Sequence, residues 1–412
     1  MYTEQGFAQK VAALGGEAYI VGGWVRDRLM DRPAHDKDYV VCGLTAETVQ
    51  NEFGASRVGR DFPVYLLSID GNMCEVALAR TERKSGHGYH GFVAEFSPET
   101  TIEDDLFRRD TTMNSLALRL SDGALIDPFG GEADIKAGVI RATSGHFRDD
   151  PVRSLRAARQ AAQLGFAIEP GTIELMRQCA AELAAEPTER VFAEMRKALS
   201  SPQPQAFFTA LRKADILAAT FPEVAALCGV QQPPAYHHGL DAFEHTMEVL
   251  KRTSELSGRE ETRFAALVHD LGKGLTPCEL WPHHYDHPQQ GLEALKKLDE
   301  RMTLPKPWYK FARFVIARHM DIPRTKKLGT IVSVLLQMQR GGFAPSEVAA
   351  VIAADHDSVP TWLKHGDQLI AFLTERRKAV EFPPSLPLPE RETWLRMKLA
   401  NALADKLTEI NG

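Results

Sequence analysis

The sequence has no apolar run approaching the roughly 20 residues that a membrane-crossing helix needs. A chain that spans a membrane with helices is therefore excluded, and no membrane partner is expected. It has no CxxC pair, and its five cysteines (Cys42, Cys74, Cys179, Cys228 and Cys278) are scattered. That speaks against a zinc ribbon or a disulfide framework and fits a reducing cytoplasm. The stretch from Met1 to Lys10 lacks a basic start leading into an apolar core, so no secretory signal is expected. Internal repeats and low-complexity tracts are missing too. Basic charge is not in excess: 49 Lys and Arg against 55 Asp and Glu give a net charge of −6. A nucleic-acid binder is often basic overall, but local patches decide binding. What is present is ordinary globular composition, 44% apolar and 25% charged over 412 residues. That length suits two or three domains and several cores.

The first 145 residues read as mixed α/β. Ala18 to Val21 is a short apolar strand ending at Gly22-Gly23, with a helix from near Trp24. Lys37 to Cys42 reads as a second strand. Asp70-Gly71 and Asp122-Gly123 mark two hairpins, between 64–69 and 73–79 and between 116–120 and 124–126. From Asp149 the pattern turns helical. Asp149-Asp150-Pro151 is a helix start, with acids near the cap and proline at the first helical position. Further helices are expected at 171–185, 189–199, 204–213, 241–255, 261–271, 289–300, 307–319, 331–338, 346–354 and 390–409. Loop stretches rich in proline at 201–204, 231–234 and 383–389 separate them. The reading is α+β: a head over 1–145, a helical neck and body over 146–230, and a histidine-rich helical part over 231–412.

Asp36 and Asp38 stand two apart at the start of a strand, where period-2 geometry puts both side chains on one face. Adjacent carboxylates repel unless a cation sits between them, and Mg²⁺ favours one or two carboxylates plus substrate phosphates. Upstream, Gly22-Gly23 joins strand to helix. Without Cβ atoms, phosphate oxygens can approach the backbone N–H groups, and the helix N-terminus favours anions. Arg26, in the first turn, is placed to reach the same phosphate. Each piece is weak alone, but the ordered combination describes a nucleotidyl-transfer site. Two aspartates would hold two Mg²⁺, one lowering the pKa of an attacking hydroxyl and one stabilising departing pyrophosphate. Glu75, on a neighbouring strand, is a candidate third carboxylate.

Gly22-Gly23-Trp24-Val25-Arg26-Asp27 followed by Asp36-Lys37-Asp38 resembles the head motif of bacterial CCA-adding enzymes, class II tRNA nucleotidyltransferases of the polymerase β superfamily. Four later blocks agree in order: 79–86, 108–115 (RRDTTMNS), 127–131 (DPFGG) and 149–159 (DDPVRSLRAAR). The resemblance implies a flexible loop opening at the first block, a nucleotide contact at Arg109, and base reading by the face that carries Asp150 and Arg153. An aspartate accepts from an exocyclic amino group and an arginine donates to a ring nitrogen or carbonyl. C and A carry an amino group where U and G present carbonyls, so such a pair can select C and A without a template. Arg156 and Arg159 extend the basic side toward triphosphate or tRNA. Asp149 stands where the family has glutamate, and Ser115 where it has alanine. The stretch Arg57 to Val64 is closer to the tRNA enzymes than to poly(A) polymerases, their nearest rivals. A full-length loop between Arg80 and Phe96 favours an enzyme that adds the final A.

A second constellation lies downstream. His269-Asp270 closes an apolar helix and runs into Leu271-Gly272-Lys273-Gly274; His245 precedes it, and Asp355 follows. Imidazoles with carboxylates suit a transition metal such as Ni²⁺, Mn²⁺ or Co²⁺ better than Mg²⁺. This pattern resembles the HD phosphohydrolase superfamily, which implies His245, His269, Asp270 and Asp355 as ligands of one metal. His284, His287 and His319 are candidates for a second metal or a phosphate. Together the resemblances imply addition and repair of the 3′-CCA end of tRNA from CTP and ATP, through contacts to the acceptor arm, by a cytoplasmic monomer or homodimer. An HD activity on phosphomonoesters or 2′,3′-cyclic phosphates would accompany it. The alternatives are a poly(A) polymerase, an HD phosphohydrolase with an RNA-binding head, and an inactive tRNA-binding protein.

Overall fold

A computed structural model describes residues 2–34, 36–58, 64–84, 86, 92–233 and 239–411. The chain forms two compact units, one of Met1–Met195 with Ala206–Thr220 and one of Arg196–Gln205 with Phe221–Gly412. Gly59 to Pro63 in the 57–64 block, most of the 85–91 loop, and Pro234 in the second linker fall outside the described residues.

In the first unit, strands β1 (Glu17–Val21), β2 (Asp38–Cys42), β3 (Ser56–Val58), β4 (Val64–Ile69), β5 (Asn72–Leu78), β8 (Ala117–Arg119) and β9 (Leu125–Ile126) form one sheet. Its order is β3-β4-β5-β2-β1-β8-β9. Within this sheet, among the described residues, β2 and β5 pair in parallel and the other neighbours pair antiparallel. The short hairpin of β6 (Thr81–Lys84) and β7 (Phe92–Glu95) stands apart. Both Asp-Gly turns fall where expected, Asp70-Gly71 between β4 and β5 and Asp122-Gly123 between β8 and β9. β1 is buried at four successive positions, as a central strand covered on both faces must be. Tyr19, Val21, Val40, Ala117, Ile102 and Leu106 share one core with it.

Helix α1 (Glu4–Ala13), which sequence patterning left unmarked, buries Phe7 and Val11. Its Glu4 also accepts from the Tyr39 hydroxyl (2.9 Å) and pairs with Lys37, which fixes the entry to β2. The DPFGG block is a cap: both carboxylate oxygens of Asp127 accept from the N–H groups of Gly131 (2.7 Å) and Glu132 (2.9 Å). A Cβ on Gly131 would stand 2.3 Å from the Thr112 carbonyl oxygen. This block therefore holds the fold beneath the site.

The second unit is helical. Helices Ala242–Leu256, Glu260–Val268, His287–Met302, Lys306–Arg318 and Pro345–His356 carry or abut the histidines. Two expected spans are shorter in the structure. The 261–271 helix stops at Val268 and continues as a 3₁₀ turn over Leu271–Leu275. The 171–185 helix breaks at Cys179 into Pro170–Gln178 and Ala180–Leu183. The helix Gly366–Lys378 was not anticipated.

Candidate active sites

Gly22 follows β1 and precedes the helix Gly23–Leu29, with φ 75° and ψ −136°, a positive-φ conformation costly for any side chain. A Cβ there would stand 3.2 Å from the Arg109 guanidinium. Asp38 opens β2, and its registry partners are Val21 at the end of β1 and Glu75 on β5. Asp36 departs from expectation: it lies outside the strand with φ 52°, so a left-handed turn positions it, and strand alternation does not. The turn still brings the acids together. Desolvation, opposed by Arg109 and reinforced by Glu75 and Asp36, raises the Asp38 carboxyl above its ordinary range. Asp36, Asp38 and Glu75 line one cleft of 680 Å³. Asp38 also lines a second cleft of 530 Å³, together with Gly22, Gly23, Arg109, Asp150, Arg153 and Arg156. This one carboxylate joins an acidic cleft to an arginine-rich one.

The arginines are set by buried acids. Helix α4 (Ile102–Phe107) starts at a Thr101–Asp104 capping box and presents Asp105, whose side chain is fully buried. Asp105 accepts from Arg108 (2.7 Å) and Arg109 (2.9 Å). Burial alone would raise its carboxyl; the two guanidiniums outweigh this and hold it at about 2. Asp110 accepts from Arg156 Nε (2.7 Å) and Asn114 (3.1 Å), which ties helix α6 (Val152–Leu164) to the RRD block.

At the start of α6, Pro151 has helical dihedrals and the Asp150 carboxylate accepts from the Val152 N–H (3.2 Å). Asp150 and Arg153 line the same cleft but bond to other groups. Arg190 donates to both Asp150 oxygens (3.1 and 3.0 Å). Arg153 donates to the His146 carbonyl (2.6 Å) and lies 3.5 Å from Glu82 on β6. Three expected contacts turn elsewhere. Arg26 bonds Asp27 and Asn114 (both 2.8 Å), Arg159 bonds Glu194 (2.5 Å), and Asp149 bonds the exposed His146 ring (2.7 Å). None of the three lines either cleft. Arg190 and Glu82 were missed by sequence reasoning.

In the second unit, His245, His269 and Asp270 place donor atoms within reach of one ion, and so do Asp270, His287 and His319. Asp270 faces the first pair through Oδ2, 3.2 Å from His269 Nε2 and 3.6 Å from His245 Nε2. It faces the second pair through Oδ1, 3.3 Å from His287 Nε2 and 3.4 Å from His319 Nε2. Asp355 Oδ1 lies 3.1 Å from His245 Nε2 and 3.7 Å from His269 Nε2. Ligand atoms about 3 Å apart are what metal–ligand bonds of about 2.1 Å produce. The Nδ1 atoms of His269, His287 and His319 donate to the carbonyls of Ala266 (2.8 Å), His284 (2.7 Å) and Ile316 (3.0 Å). That turns each Nε2 toward Asp270, with those of His287 and His319 3.2 Å apart.

Buried His269 Nε2 and both Asp270 oxygens have no hydrogen-bond partner, although Lys273 Nζ stands 2.5 Å from Asp270 Oδ2. Lys273 compensates Oδ2, while His269 Nε2 and Asp270 Oδ1 are left as costly buried groups that a divalent cation would satisfy. Burial lowers the His269 imidazole, but Asp270 and Asp355 outweigh it and raise it to about 9. His287, which meets Asp270 but also faces His319, is lowered, chiefly by burial, to about 4. His284 belongs to neither group; its Nε2 meets the Gln231 carbonyl (2.9 Å). Gly272 makes the packing possible, since a Cβ there would stand 1.9 Å from the His287 carbonyl oxygen. Lys273, buried and bonded to Gln232 (2.6 Å), and His356, 3.0 Å from Asp355, complete the surround. Neither was singled out as a site residue from the sequence.

A head with paired acids beside a glycine turn, joined to a helical histidine–aspartate site, defines a nucleotidyltransferase of the polymerase type fused to an HD module. Family models agree in order: Poly A polymerase head domain over 18–141, probable RNA and SrmB-binding site of polymerase A over 165–228, and HD domain over 242–360. The multifunctional CCA protein of Hahella chejuensis (strain KCTC 2396) is 45% identical over 326 residues, 77% of this chain and 76% of that one. That of Shewanella frigidimarina (strain NCIMB 400) is 47% identical over 309 residues, 74% of each. The crystal structure of the Bacillus stearothermophilus CCA-adding enzyme in complex with CTP superposes with a TM-score of 0.68 at 25% identity, over 99% of this chain and 96% of that one. The Thermotoga maritima CCA-adding enzyme shares the fold, with a TM-score of 0.59 at 21% identity over 97% and 90%. The chain belongs to the multifunctional CCA protein family.

Proposed function

We propose that the chain builds and repairs the 3′-terminal CCA of tRNA from CTP and ATP without a nucleic-acid template. The observation that carries this is Asp38 at the junction of two clefts, with Asp36 and Glu75 on one side and Gly22 under Arg109 on the other. In this reading the arginine-rich cleft takes the nucleoside triphosphate and the acidic one takes the RNA end. Gly22 and Gly23 let triphosphate oxygens approach the helix N-terminus. Arg109, oriented by Asp105, faces the phosphates. Asp150 accepts the exocyclic amino group of C or A, and Arg153 donates to the ring; both exchange the partners they hold here. Asp36 and Asp38, with Glu75 beside them, would hold Mg²⁺, which when bound lowers the pKa of the attacking hydroxyl and neutralises departing pyrophosphate.

The domain reading assigns 1–145 to the head, 146–230 to the neck and body, and 231–412 to the HD part, in a cytoplasmic enzyme. The HD part is a phosphohydrolase of the 2′,3′-cyclic phosphodiesterase or phosphatase type. His245, His269, Asp270 and Asp355 would hold one transition metal such as Ni²⁺, Mn²⁺ or Co²⁺, and His287 and His319 a second through Asp270. Such metals supply Lewis acidity and an activated water.

The test is a gel assay on tRNA ending at its discriminator base, with CTP alone, ATP alone and both. Two additions with CTP and three with both are expected. A tails that lengthen without limit, with CTP never incorporated, would make it a poly(A) polymerase instead.

A further inference from the structure

The end of the chain carries a site that neither catalytic cluster uses. Helix Leu388–Asn411 packs against Leu328–Gly341 and Gly366–Lys378 and leaves a cleft of 360 Å³. Arg340, Arg377, Arg391 and Arg396 line it, and Glu392 is the one acid among the described residues that does so. The Arg391 guanidinium lies 5.3 Å over the Phe382 ring. Phe382, 37% exposed, leans on Trp394 with ring centroids 5.6 Å apart. Arg340, Arg377 and Arg396 are exposed, and no carboxylate among the described residues is paired with them. Four arginines lining one cleft against a single acid give it a positive field that favours a polyanionic ligand. Guanidinium forks match phosphate oxygens, and an exposed aromatic in a basic groove offers a stacking face for a base.

We propose that this cleft is an accessory RNA-binding site, taking the phosphodiester backbone of a single strand with one base stacked on Phe382. Three of its four arginines lie beyond residue 360, where the matched HD region ends.

The experiment photo-crosslinks a thiouridine-containing single-stranded RNA to the full-length protein without nucleotides, and maps the modified peptides. Adducts are expected at Phe382 or Trp394. The Arg340→Gln/Arg377→Gln/Arg396→Gln variant should lower their yield about tenfold or more and flatten the log–log salt dependence by about 2, at about 0.7 per lost phosphate contact. Arg377→Gln alone, for which a folded thermal transition is the check, should lower it about threefold. Arg313→Gln, at an exposed arginine on another helix, should leave the yield unchanged. Adducts confined to residues 1–220, or an unchanged yield in both arginine variants, would overturn the proposal. So would complete loss of the adduct to inorganic tripolyphosphate at low concentration, which would mark a site for free polyphosphate.

Discussion

Asp150 illustrates what one residue does and what holds it. Arg190 donates to both oxygens of its carboxylate, and in the proposed reading Asp150 exchanges that partner for a base amino group. Replacing Asp150 with alanine should leave tRNA binding intact and cut discrimination for CTP and ATP over UTP and GTP by about tenfold to a hundredfold. That is the worth of about 1–3 kcal/mol for a buried polar partner, read as ratios of kcat/KM for single additions. Asp105 acts one step back. Its fully buried carboxylate faces two guanidiniums, so Asp105→Asn should destabilise the protein by about 3–5 kcal/mol. Its pKa is depressed to about 2, so this contribution is present above the ordinary carboxylate value of about 4 and is lost as pH falls through about 2. Urea melts at neutral pH and at acid pH should show the gap between variant and wild type closing in that window. Asp150 and Arg153 were legible because a helix start places them together. Arg190 was not, since it meets Asp150 across 40 positions and no periodicity links them.

Among the elements, the turn after the 260–268 helix does most to build the second site. Sequence patterning ran that helix on to 271, because apolar spacing continues through Leu271. The chain instead breaks at His269 so that Gly272 can lie against the His287 carbonyl. Gly272→Ala should cost about 3 kcal/mol, at the upper end of overpacking, and reduce bound transition metal, both measurable on one sample by thermal melting and elemental analysis. The histidine groups also predict a stoichiometry. Fully loaded protein should hold about two transition-metal ions, and His287→Ala/His319→Ala about one, because Asp270 then keeps ligands on one side only. Equal metal content in the two proteins would remove the second group from the account. The motif His269-Asp270 was readable as a ligand pair from its sequence. That Asp270 stands between two histidine pairs was not, since it depends on how four helices pack.

For the whole molecule, the ordered blocks from Gly22 to Arg159 conveyed the class of the head because each fixes one part of a continuous scaffold. Asp127 caps a helix, Asp110 anchors α6, and Asp105 aims two arginines. The mixed sheet and helical remainder followed from the same sequence. The turn at Asp36 did not, because its left-handed backbone leaves no trace in a strand-like pattern. The two candidate sites lie in different compact units, so loss of one chemistry should spare the other. The most direct measurement is CMP incorporation by Asp38→Asn into tRNA ending at its discriminator base, with tRNA affinity and cyclic-phosphate hydrolysis followed on the same preparation. A loss of about a thousandfold, or about 4 kcal/mol of transition-state stabilisation, with both other readings unchanged, is the outcome expected. Incorporation within about tenfold of wild type would contradict the account.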